Sequence, residues 1–155
     1  MKPSVYIETT IPSFLTARPS KFLIEQAKQE MTRDWWACRH DYDCCISQEV
    51  LDEAGRGDPD AAQRRLAALH GLPLLDANEE SDVLARELLH SGIVPAKATS
   101  DAAHLAIAVV YGMDILLTWN CAHLANPIVQ PRLQDFLALH GYRLPVVCTP
   151  AELLP

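Results

Sequence analysis

Ile115-Leu116-Leu117 is apolar at every position, and it follows closely on the most apolar helical segment of the chain, Ala102 to Val110. A strand with one wet face alternates apolar and polar residues, whereas a strand covered on both faces is apolar throughout. A helix that is apolar on all sides is buried for the same reason. This stretch therefore belongs at the centre of a layered domain. Val5-Tyr6-Ile7, Cys44-Cys45-Ile46, Pro73-Leu74-Leu75 and Val146-Val147-Cys148 read as further short strands. Between them the pattern turns helical. Ser20 to Arg39 presents Phe22, Leu23, Ala27, Met31, Trp35 and Trp36 on one side, and a helix after Ser47 carries Val50, Leu51 and Ala54 inward. Pro59 to about His70, Glu79 to Leu89 and about Val129 to His140 complete the set. Ser47 and Ser100 stand where N-caps belong, and Gly112 ends the buried helix. The alternation predicts an α/β fold, a three-layer α/β/α sandwich with a mainly parallel central sheet.

The 155 residues suit one domain, 1–155, at roughly 100–200 residues per domain. There is no internal repeat, low-complexity segment or linker. No window reaches the roughly 18 apolar residues of a membrane helix, and Met1-Lys2-Pro3-Ser4 leads straight into a strand, which argues against a secretory signal. Five cysteines, two of them adjacent and none in a C-x-x-C pair, suit a reducing cytoplasm and not a disulfide framework. A net charge of −7 excludes a generally basic nucleic-acid binder, so any contact with nucleic acid must be local and metal-assisted.

Open parallel sheets bind ligands outside the carboxyl ends of their strands. Glu8 follows the first strand directly, and Thr118-Trp119-Asn120 follows the fourth. Glu53 lies in the second turn of the helix leaving the second strand. The helix feeding the fourth strand must run the other way, which brings Asp101, in its first turn, to the same edge. Three carboxylates and an amide from four segments thus converge. Carboxylates gathered in one crevice repel each other, and a hard divalent cation is the usual remedy. Such a cation would lower the pKa of a bound water and face a phosphate oxygen. Each acid taken singly also reads as a solvated element end, Asp101 as a first-turn residue favoured by the helix dipole.

Val-Tyr-Ile-Glu8-Thr-Thr-Ile, Ser47-x-x-Val-Leu-x-Glu53, Asp101-Ala-Ala-His-Leu-Ala-Ile-Ala and Leu-Leu-Thr118-Trp-Asn120-x-x-His resemble the four signature segments of PIN domains, VapC-type toxins among them. The resemblance runs from about Val5 to Cys148. It implies a metal-dependent ribonuclease using Mg²⁺ or Mn²⁺, with Glu8, Glu53 and Asp101 in the places of metal-site acids. Thr118 falls at the hydroxyl position and Asn120 at the fourth acidic position. It also implies an RNA substrate, an antitoxin partner that occludes the site, and a homodimer. Two departures matter: PIN domains usually carry Asp where this chain has Glu8 and Asn120. Glu8 keeps the charge but reaches one C–C bond further, and Asn120 coordinates only through its carbonyl. One ion is expected here and not two.

Several neighbours carry two readings. Glu49, one turn before Glu53, is a supporting acid, a substitute ligand or a surface residue. His104 and His123 either orient a ligand or water, or are hydrogen-bonded core residues. A zinc site of His104, His123 and Cys121 lacks the usual spacing. Thr9 either bonds the metal site or caps the next helix. Arg18, Lys21 and Lys97 either touch phosphates or are solvated. The Trp35-Trp36 pair is a core or dimer contact. Two other functions were weighed: a catalytically weak PIN-like module binding RNA or a protein, and a phosphatase or phosphotransfer receiver. The latter lacks a paired Asp-x-Asp on the first strand.

Overall fold

The computed structural model describes all 155 residues. Its sheet is wholly parallel, in the order β3-β2-β1-β4-β5, from β1 (Ser4–Ile7), β2 (Asp43–Ser47), β3 (Leu74–Leu75), β4 (Ile115–Leu117) and β5 (Val146–Cys148). Helices flank it in the expected three-layer sandwich: α1 (Thr10–Thr16), α2 (Leu23–Ala37), α3 (Gln48–Ala54), α4 (Pro59–Leu69), α5 (Glu79–Ser91), α6 (Thr99–Val110), α7 (Val129–Leu139) and α8 (Pro150–Leu153). β1 sits in the middle with Ile7 beside Leu117 of β4. The chain first adds strands on one side of β1 and then on the other, so the crevice between β1 and β4 is where the strand order reverses. That is the position at which such sheets hold ligands.

The core follows from the apolar runs. Val5, Tyr6, Ile7, Leu116 and Leu117 are fully buried, as are Ala102, Leu105, Ala106 and Ala108 of α6. α6 packs against α5 and α3, while α1 packs against α2 and α4. No helix is long and apolar enough to cross a membrane.

Three local expectations need correction, and one helix is added. The segment Thr10–Thr16, to which the sequence pattern gave no element, is a helix. Pro12 is tolerated there because the first turn has no internal acceptor for its missing N–H. α6 starts two residues earlier than expected, after Ala98, so Ser100 is not its cap; its hydroxyl donates instead to Glu49 at 2.6 Å. Ser47 precedes α3 but makes no cap bond, because its hydroxyl faces Tyr6. α2 buries Gln29, Thr32 and Trp35, whereas Phe22 and Leu23 are exposed. Gln29 binds the backbone at Arg18 and Ser20, and Thr32 accepts the indole N–H of Trp119 at 2.8 Å. Satisfied polar groups thus take the inner face that the apolar pattern had assigned to Phe22 and Leu23. Trp35 is core, and Trp36 is half-buried beneath the Arg39 guanidinium.

Candidate metal centre

Glu8 leaves β1 with its backbone N–H on the carbonyl of Leu117, so its side chain starts at the reversal point of the sheet. It is 4% exposed. Three donors surround its carboxylate: the hydroxyls of Thr10 and Thr118, each 2.5 Å from Oε1, and the Thr10 N–H, 3.1 Å from Oε2. No lysine, arginine or histidine pairs with it. A buried carboxylate with hydrogen bonds but no ion-pair partner in contact keeps part of its desolvation cost uncompensated.

Glu53 and His104 complete a trio. The ligand-capable atoms of Glu8, Glu53 and His104 all lie within 4.8 Å of one another. Glu53 Oε1 accepts from the Thr9 hydroxyl at 2.7 Å and from His104 Nε2. Burial alone would raise the Glu53 carboxyl, but the His104 bond and charge, Thr9 and Arg56 outweigh it and hold it below the ordinary range. Burial likewise disfavours a charged His104. The Glu53 bond and the charges of Glu8, Glu53 and Glu49 overcome that and raise the imidazole above its usual value. Behind the ring, Nδ1 lies 2.7 Å from the Tyr6 hydroxyl, which lies 2.6 Å from Ser47 Oγ. Burial is the first cause pushing the Tyr6 phenol upward, so it stays neutral.

The other predicted residues lie beside the trio and not in it. Asp101 accepts from His123 Nδ1 at 2.8 Å. Asn120 Oδ1, the only atom with which it could coordinate a cation, accepts the His123 N–H at 2.9 Å, and the Asn120 N–H donates to Thr118 Oγ1. Thr118 therefore links Glu8 to Asn120, and His123 links Asn120 to Asp101. Glu49 ties α3 to the start of α6 through Ser100. Cys121 and His123 form no cluster with His104, which removes the zinc arrangement. Arg18, Lys21 and Lys97 are exposed and pair with none of these acids.

Sequence reasoning missed Thr10, Tyr6 and the hydroxyl role of Ser47. The signals were present. A buried tyrosine needs a partner for its hydroxyl, and a Thr-Thr pair directly after a buried acid supplies donors to it. No protein-family model matches this chain, and no curated protein matches it significantly.

The trio fits a divalent cation. Ligands about 2.1 Å from one centre lie roughly 3–4.3 Å apart, and the trio's atoms all lie within 4.8 Å, so only the hydrogen-bonded Glu53 and His104 need move apart to share an ion. Two carboxylates balance a double positive charge, and the hydroxyls and amide that fix Glu8 leave lone pairs on Oε2.

Proposed function

We propose that this chain is a metal-dependent endoribonuclease of PIN type, hydrolysing RNA phosphodiester bonds. The observation that carries the reading is the pairing of buried Glu8 with half-buried Glu53 at the point where the sheet reverses its strand order. Glu8 and Glu53 would hold one Mg²⁺ or Mn²⁺, with Asp101 and Asn120 at its rim. A bound cation of this kind lowers the pKa of a water and neutralises charge developing on a phosphate.

The chain's own residues do the rest. Thr10 and Thr118 fix the Glu8 carboxylate, and Thr9 fixes that of Glu53, so the acids are held before substrate arrives. The acidic surface disfavours RNA at long range, which makes contact at the crevice the main source of binding. A role as the toxin of a toxin–antitoxin pair, with an antitoxin over the crevice and a homodimeric assembly, is the narrower form of this reading.

The test is incubation of the purified chain with structured and unstructured RNAs in Mn²⁺, Mg²⁺ or EDTA. Cleavage that needs metal and falls away in Glu8→Gln supports the reading. Intact RNA under every condition would leave a binding module in its place.

A further inference from the structure

We infer that His104 Nε2 is the third ligand of the cation, that Tyr6 and Ser47 hold the imidazole in the tautomer this requires, and that the site selects a first-row transition ion such as Mn²⁺ over Mg²⁺. The inference rests on the proposal that this crevice holds a cation, and it goes further by naming the ligand and the ion class.

Position is the first argument. The third acid expected from sequence, Asp101, is engaged by His123, and the Asn120 oxygen is engaged by the His123 N–H. His104 lies one turn beyond Asp101 on α6, and its Nε2 is grouped with the Glu8 and Glu53 oxygens. The ring is fully buried, and the one hydrogen bond of Nε2 is to Glu53.

The hydrogen-bond string behind the ring is the second argument. A histidine that offers the Nε2 lone pair to a metal carries its proton on Nδ1, and that N–H needs an acceptor. The Tyr6 oxygen stands 2.7 Å from Nδ1. A phenol has one proton, and while its oxygen accepts from Nδ1 its own O–H donates to Ser47 Oγ, 2.6 Å away. Each oxygen of the string then accepts one hydrogen bond from the group before it. The Tyr6 ring also meets the imidazole edge-on, with centroids 5.7 Å apart, which restricts its rotation. Without a cation, Nε2 carries a proton to Glu53 and occupies it in the metal's place.

Donor chemistry sets the ion. Mg²⁺ prefers oxygen ligands and keeps most of its water, whereas an imidazole favours first-row transition ions. Two carboxylates and one neutral imidazole make a dication electrically neutral at the site.

The experiment uses the full chain. Mn²⁺ and Mg²⁺ binding are measured by titration calorimetry for wild type, His104→Gln and Tyr6→Phe. The bound Mn²⁺ is examined by pulsed electron paramagnetic resonance for coupling to a ligand nitrogen. Wild type should bind one Mn²⁺ at least ten-fold more tightly than Mg²⁺ and show that coupling. His104→Gln should lose the coupling and the preference. Tyr6→Phe should keep the coupling but bind Mn²⁺ about 10- to 100-fold more weakly. Bound Mn²⁺ without nitrogen coupling, or binding of neither ion, overturns the inference. The wild-type spectrum decides this even where a variant fails to fold. RNA cleavage is scored separately. Nitrogen-coupled Mn²⁺ without cleavage supports the inference and defeats the ribonuclease reading, whereas metal-dependent cleavage without coupling does the reverse.

Discussion

His123 donates from Nδ1 to the Asp101 carboxylate across 2.8 Å, joining the loop after β4 to the first turn of α6. Asp101 is half-buried and negatively charged at the rim of the proposed cation site. Asp101→Asn keeps an oxygen for the imidazole but removes the charge. Metal-dependent RNA cleavage should fall about 100-fold, while the urea midpoint should move by no more than a modest amount, because a neutral hydrogen bond replaces a charged one. A folded Asp101→Asn chain that cleaves at the wild-type rate would remove Asp101 from the site.

The layer architecture was legible because Val5-Tyr6-Ile7 of β1 and the whole of β4 form unbroken buried runs, a pattern only a doubly covered strand requires. Glu8, Glu53 and Thr118 were legible as polar residues directly after such strands or one helix turn beyond. Asp101 was legible to the correct edge but not to its partner. Its bond to His123 depends on side-chain direction across 22 residues, which spacing does not report. His104 was open to two readings because a histidine inside an apolar helix looks the same whether its nitrogens face a core hydroxyl or a metal. Here they face both Tyr6 and Glu53. α1 has only seven residues, too few for its apolar pattern to announce a helix, although proline in a first helical turn interrupts nothing.

Thr118 serves two segments at once. Its hydroxyl donates to Glu8 and accepts the Asn120 N–H at 2.9 Å, and the residue is fully buried. Thr118→Val keeps the shape and removes both bonds, leaving an orphan N–H and a carboxylate short of a donor. Stability should drop by about 1–3 kcal/mol, read from the urea midpoint without metal. The metal-dependent cleavage rate should fall as well, because Glu8 is less firmly held. An unchanged midpoint would mean that water replaces the hydroxyl at no cost.

The two adjacent tryptophans should behave differently. Trp35 is fully buried beside Tyr42, with ring centroids 5.7 Å apart, whereas Trp36 is half-buried with the Arg39 guanidinium 4.7 Å above its ring. Trp35→Ala should cost about 3–5 kcal/mol as a core cavity. For Trp36→Ala, the cation–π contact contributes about 0.5–1 kcal/mol, with a smaller burial loss added. Urea denaturation of both variants checks the ordering, and equal losses would contradict it.

Alkaline pH should destabilise the chain through its buried thiols. Burial pushes Cys45 up to about 12 and Cys148 up to about 11 from an ordinary value of 9.0. A pKa raised in the folded state contributes stability that is whole below the unfolded value and is lost as pH rises through the folded one. The window therefore opens near pH 9 and closes near 11 to 12. Within it the unfolded chain sheds its thiol protons first, so stability falls with pH by up to about 1.4 kcal/mol per unit for each thiol. Wild type and Cys45→Ala are compared by urea denaturation at pH 8, 9 and 10. The paired variant isolates the share of Cys45. The Cys45→Ala chain should lose less stability between pH 9 and 10 than wild type does. Parallel losses in the two chains would show that Cys45 does not drive the alkaline limb. At pH 8 a thiol reagent should modify exposed Cys121 well before Cys45 or Cys148.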